Sequence, residues 1–122
     1  MKAYITGIAG FLGSHLADWF LAREDEVYGC DDFSTGDQSN FSKSLARWAI
    51  EELVPCNLRG IDVVFHCAAA AYEGVSNFSP AFISRNIYAG SAAVFSAAIA
   101  AGVKRIVFTS SMAVYGNPEW KR

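Results

Sequence analysis

Three glycines, Gly7, Gly10 and Gly13, stand in a G-x-x-G-x-x-G run after a short β-type segment, Lys2 to Thr6. They lead into a stretch, Gly10 to Arg23, whose apolar residues Phe11, Leu12, Leu16, Trp19 and Phe20 recur at helical spacing. Strand, glycine turn and helix in that order constrain the fold more than anything else in the chain. The three glycines serve a tight turn, the close approach of backbone to a pyrophosphate, and the close packing of helix on strand. The helix N-terminus then presents N–H groups and the positive end of its dipole to phosphates, with no lysine required. Taken alone, the triplet also fits a plain strand-to-helix turn. What favours a nucleotide is Asp31, 18 residues beyond Gly13. It follows a second strand, Glu26 to Cys30, and stands where a carboxylate can accept hydrogen bonds from a ribose diol.

The same carboxylate discriminates between cofactors. It would repel a 2′-phosphate, and no lysine or arginine lies between Asp31 and Ser42 to neutralise one, so NAD is favoured over NADP. A solvated strand end with a capping role is the alternative reading of Asp31-Asp32.

The rest of the chain keeps the alternation. Phe33 to Ser44 is polar and reads as a loop, Ser44 to Leu53 as a helix, and Asp62 to Cys67 as a continuous β-branched and aromatic strand. Pro80 to Ala101 is a long helix closed by Gly102, and Lys104 to Thr109 another buried strand. This βαβ pattern predicts a Rossmann-type, doubly wound parallel sheet in a three-layer αβα sandwich. At 122 residues, 52% hydrophobic and 18% charged, the chain has room for one domain with strands buried on both faces.

Composition also excludes functions. The net charge of −2 and ten scattered Lys and Arg residues argue against nucleic acid. The most apolar stretch, Ala92 to Val103, has 12 residues, against the ~20 of a membrane span. Cys30, Cys56 and Cys67, 26 and 11 apart, match neither a metal pair nor a disulfide framework and read as reduced. With no secretory leader pattern, the expected compartment is the cytoplasm. His15 and His66 read as packed residues of the fold and not as ligands, and no metal is expected.

Five segments together carry a resemblance: Thr6 to His15 (TGIAGFLGSH), Asp31 to Gly36 (DDFSTG), His66 to Ala69 (HCAA), Asn86, and Phe108 to Gly116 (FTSSMAVYG). Nearly the whole chain resembles the extended short-chain dehydrogenases/reductases, in particular their NAD-dependent epimerase/dehydratase group. The resemblance implies that Gly7, Gly10, Phe11, Leu12 and Gly13 wrap the pyrophosphate. Asp31, with Asp32 beside it, would hold the adenosine ribose, and the backbone of Ala68 and Ala69 would pass beside NAD. Ser111 matches the catalytic serine, which hydrogen-bonds the reacting oxygen of a nucleotide-sugar while a tyrosine phenolate takes its proton. Thr109 and Ser110 belong to the scaffold of that motif, with Ser110 counted on the cofactor side. Without the family, Ser111 reads equally as a serine bonding nearby backbone. Asn86 is expected to bond backbone across the sheet. Phe82, Ile83, Ile87, Val94 and Phe95 are expected in the core.

Departures from the family pattern matter too. Its base belongs to a Tyr-x-x-x-Lys pair on the helix after the catalytic serine. None of the five tyrosines here has lysine four positions on. Residues 1–122 are therefore expected to form an NAD-binding domain that stops after the strand preceding that helix, without the sugar-binding domain and unable to run the reaction alone. Between Asp31 and Asp62 there is too little chain for both the family's third strand and its crossover helix, and Asn57 is expected where the adenine-side acid usually stands. Met112-Ala113 replaces the Asp-Glu pair of the dehydratases, which favours epimerisation or oxidoreduction over elimination. A catalytically inactive NAD-binding or interaction module is the competing expectation. Family relatives are often dimers through helices that include Pro80 to Ala101, and that alanine-rich surface fits either a second copy or cover within one chain.

Overall fold

A computed structural model describes residues 1–40, 57–72 and 74–116. The expected helix over Ser44 to Leu53, Cys56, and all of the third-strand stretch except Asn57 lie outside the described residues.

Four strands form one parallel sheet: β1 (Lys2–Thr6), β2 (Glu26–Cys30), β3 (Val63–His66) and β4 (Arg105–Phe108), in the order β2-β1-β3-β4. The chain moves outward from β1 to β2 on one side, then returns to place β3 and β4 on the other. This reversal beside β1 opens a crevice at the carboxyl ends of the strands, where open α/β sheets take their ligands. The doubly wound Rossmann arrangement expected from the alternation is the one observed.

Strand alternation divides the core between two faces. Ala3, Ile5, Val27 and Val63 pack with Ile8, Ala17 and Phe20 of the turn and of helix α1 (Phe11–Leu21). Tyr4 and Val64 face the other way, onto Leu58 and onto Val94 and Ala98 of helix α4 (Gly90–Ala100). Before α4 come two short helices, α2 (Val75–Phe78) and α3 (Pro80–Ile83), and a π-helical segment, Ser84–Ala89. The expected long helix from Pro80 thus runs through a π-helical stretch, a distortion that often marks functional positions.

Burial corrects the sequence reading in three places. On α1 the inward residues are Gly13, Ser14, Ala17 and Phe20, whereas Phe11 (81% exposed), Leu12 and Trp19 face outward. Small side chains let the helix lie close on the sheet, so the bulky stripe is turned to the outside. On the long helix Val94 is buried and Phe95 packs beside it, but Phe82 and Ile87 are exposed, because they lie before the stretch that contacts the sheet. Strand β4 is the third correction. It is mostly exposed and not a buried strand, since among the described strands it is an edge and pairs only with β3.

Candidate functional site

Segments following β1, β2 and β3 converge on one cleft. Its walls are Gly7 and Gly10 to Gly13 after β1, Asp31, Asp32, Ser34 and Thr35 after β2, and Cys67 to Ala70 after β3, with Asn86 from the π-helical segment. Gly7 has a φ of 70°, in the left-handed region that glycine enters without penalty. A Cβ there would come within 2.8 Å of the Ala68 nitrogen. At Gly13 a Cβ would run into the Gly7 carbonyl. The two glycines thus let β1, the segment after β3 and α1 meet with no side chain between them. Gly10, the N-cap of α1, has no side chain to satisfy the first N–H groups of the helix, and no acid occupies its first turn. Those donors and the positive dipole end suit an anionic group.

Asp31 is 7% exposed, and both of its oxygens are engaged. Oδ2 accepts the Ala9 N–H at 2.8 Å and Oδ1 the Phe33 N–H at 2.9 Å. The second bond helps hold Phe33 at a φ of 53°, unusual for a residue with a side chain. Each carboxylate oxygen has a further lone pair to offer. The carbonyl of Ala9 is held as well, by the Asp37 N–H at 3.1 Å and the Asn40 Nδ2 at 2.9 Å. One residue of the glycine turn, Ala9, is therefore clamped through both of its flanking peptide groups by Asp31 and the loop after it. Asp32 is exposed, and its Oδ1 accepts from the backbone and hydroxyl of Ser34.

Below the cleft, His66 is buried between β1 and α4. Its Nδ1 lies 2.7 Å from Thr6 Oγ1 and its Nε2 2.8 Å from Ser91 Oγ. The ring stacks on Phe108 and meets Phe95 edge-on. Burial pushes its pKa below the ordinary imidazole value, and pushes the Cys67 thiol above its own. His66 is packed as expected, whereas His15 is not: it sits on the exposed side of α1, its Nδ1 2.7 Å from the Phe11 carbonyl oxygen, because the small-residue face took the sheet contact.

Other expected residues lie apart from the cleft walls. Asn57 is exposed and accepts the Arg59 N–H at 3.0 Å, closing a local turn. Ser110 is exposed, with its N–H donated to Phe108. Ser111, also exposed, caps the 3₁₀ turn Met112–Tyr115 by accepting the Ala113 N–H at 3.1 Å. Asn86 does line the cleft, but its amide donates to the Phe82 carbonyl of its own helix and not across the sheet. Ser34, Thr35 and Cys67 carry no individual mark in the sequence as cleft residues, although the DDFSTG and HCAA segments contain them. Among the described residues no cluster of His, Cys, Asp and Glu could hold a metal ion. No helix there is long and apolar enough to cross a membrane.

A sequence model of the NAD dependent epimerase/dehydratase family matches residues 3–121. UDP-glucose 4-epimerase of Mycolicibacterium smegmatis is 35% identical over 97% of this chain and 41% of its own length. UDP-glucuronic acid decarboxylase 2 of Arabidopsis thaliana is 32% identical over 97% of the chain and 27% of its own length. Among solved structures, UDP-N-acetylglucosamine 4-epimerase of Methanobrevibacter ruminantium M1, in complex with UDP-N-acetylmuramic acid, superposes with a TM-score of 0.86 at 31% identity. That superposition covers 99% of this chain and 41% of the other chain. The chain thus spans well under half the length of the relatives it matches.

Proposed function

The chain belongs to the NAD dependent epimerase/dehydratase family, and from that premise we propose that it forms the NAD-binding portion of a cytoplasmic nucleotide-sugar epimerase. The observation that carries this reading is the buried Asp31 carboxylate, locked to the glycine turn through Ala9 and placed on the cleft wall opposite the segment after β3.

The residues present fit the dinucleotide. Gly7 and Gly10 shape the turn, their own N–H groups bonded to the Cys30 and Gly7 carbonyls, and Phe11, Leu12 and Gly13 offer the first N–H groups of α1 to the pyrophosphate, in a cradle that a Cβ at Gly7 or Gly13 would fill. Asp31 accepts from the adenosine ribose with its spare lone pairs and repels a 2′-phosphate, and Asp32 holds the loop beside it through Ser34. Ala68 and Ala69 line the opposite wall with backbone and methyl groups. Bound there, NAD supplies a nicotinamide ring that takes up and returns a hydride. Ser111 hydrogen-bonds the reacting sugar oxygen with the hydroxyl that now caps the 3₁₀ turn, and Ser110 lies on the cofactor side of it. Asn57 is left out of this site, since its side chain serves a local turn. The exposed Phe82, Tyr88 and Ile99 of the long helix fit pairing with a second copy.

Similarity to the plant decarboxylase supports a second reading, a decarboxylase that uses the same cofactor cleft on a UDP-sugar acid. The first test is calorimetric titration of the 122-residue chain with NAD and separately with NADP. Saturable NAD binding, lost in Asp31→Ala, with much weaker NADP binding is the expected result. A folded sample that binds neither would overturn the reading. Full-length protein assayed with UDP-glucose and UDP-glucuronic acid separates epimerase from decarboxylase.

A further inference from the structure

The polar chain beneath the cleft links three elements. Thr6 ends β1 immediately before Gly7, His66 ends β3 immediately before the Cys67-Ala68 wall, and Ser91 stands in the first turn of α4. The Ala68 N–H donates to Thr6 Oγ1 at 3.2 Å, so that oxygen is already an acceptor. Thr6 is fully buried, and a buried hydroxyl whose hydrogen finds no acceptor is costly. Among the hydrogen bonds of the described residues, the acceptor open to it is His66 Nδ1, 2.7 Å away. Nδ1 therefore carries the lone pair and Nε2 the hydrogen, which goes to Ser91 Oγ. Donor counting fixes the tautomer.

We propose that His66, held as the Nε2–H tautomer, is the positioning residue of the cofactor cleft. It aligns the Thr6 hydroxyl, and through it the Ala68 N–H against the Gly7 turn, while Ser91 anchors the ring to α4. This rests on the NAD-binding reading above. The spacing it controls is among the tightest in the cleft, since backbone at Ala68 passes Gly7 with no room for a Cβ. Facing the ring are Thr6 from β1, Ser91 and Phe95 from α4, and Phe108 from β4. Cys67, next in the chain, is kept neutral by the burial of its thiol. No charged side chain is among these neighbours, so a proton on Nδ1 would displace the Thr6 hydrogen and find no counter-charge.

Two measurements on the 122-residue chain test this. Long-range ¹⁵N–¹H correlation of the imidazole rings at neutral pH, with His15→Gln to assign the two histidines, is expected to show His66 protonated at Nε2. Protonation at Nδ1 would overturn the proposal, whatever the variants do. Calorimetric titration with NAD should give binding roughly three- to tenfold weaker in Ser91→Ala, the loss of about one hydrogen bond, with Ser91→Thr restoring the parental affinity. Equal affinity in parent and Ser91→Ala, both folded by circular dichroism, would overturn the positioning role while leaving the NAD site intact. A folded parent chain that binds no NAD would instead remove the site and this role together.

Discussion

The two ends of the sheet's carboxyl edge are built differently. At the β1 side, Asp31, Thr6 and His66 are buried and bonded to partners on other elements: Asp31 to Ala9 across 22 residues of sequence, Thr6 to His66 across 60, and His66 to Ser91 across 25. At the β4 side, Ser110 and Ser111 are exposed and bonded within three residues of themselves. Asp31, Thr6 and His66 are therefore part of the core, and they cannot change without the fold responding. Ser111, assigned to the reacting sugar, and Ser110 beside it on the cofactor side are presented at a short 3₁₀ turn and can change with little effect on stability.

Substitutions can break or sharpen this contrast. The largest effect is expected at Gly13, where a Cβ meets the Gly7 carbonyl. Gly13→Ala should cost about 3 kcal/mol or more and abolish NAD binding, read by urea unfolding and calorimetry; a stable variant that binds normally would show that α1 can move off the turn. Asp31→Ala strands the N–H groups of Ala9 and Phe33, and should cost on the order of 2 kcal/mol by the same unfolding measurement, independently of any ligand.

Next comes pH. His66 has a folded pKa held below the ordinary 6.5 by burial, so the unfolded chain binds that proton more readily. Stability from this residue is fully present above about pH 6.5 and falls as pH drops below it. The surface acids Asp25 and Glu26, drawn below their ordinary values chiefly by hydrogen bonds to the N-terminal amine and to Tyr28, lose their contribution only in a more acidic window. Urea midpoints between pH 7 and 5.5 should decline in the parent, and a flat profile would mean that His66 is not the titrating group. The smallest effect is expected for Ser111→Ala, within about 0.5 kcal/mol of the parent; a loss comparable to that of Asp31→Ala would erase the distinction between the two ends.

Legibility in the sequence follows the same division. The glycine spacing, the strand before it and the acid after β2 are local patterns, and β1, α1 and β2 stand where those patterns put them. Periodicity failed on the orientation of α1, because bulky Phe11, Leu12 and Trp19 outweigh Gly13, Ser14 and Ala17 in an apolar count although the small residues make the contact. The composition of β4 reads as buried, but whether a strand is covered depends on its neighbours, which its own residues do not encode. His66 could be read as packed, but its partners Thr6 and Ser91 are far away in sequence, and only the parallel register of β1 and β3 brings the first of them alongside.

The backbone of Ala9 gives the cleft a kinetic character. With its N–H held by Asp31 and its carbonyl by Asp37 and Asn40, the pyrophosphate turn and the ribose loop move as one rigid body. The ordering of both loops is then settled when the chain folds, and an arriving dinucleotide meets a wall already set. Such a site loses little conformational entropy on association. Changes that loosen the clamp, Asn40→Ala among them, would show first as a slower on-rate, before any contact to the ligand is lost.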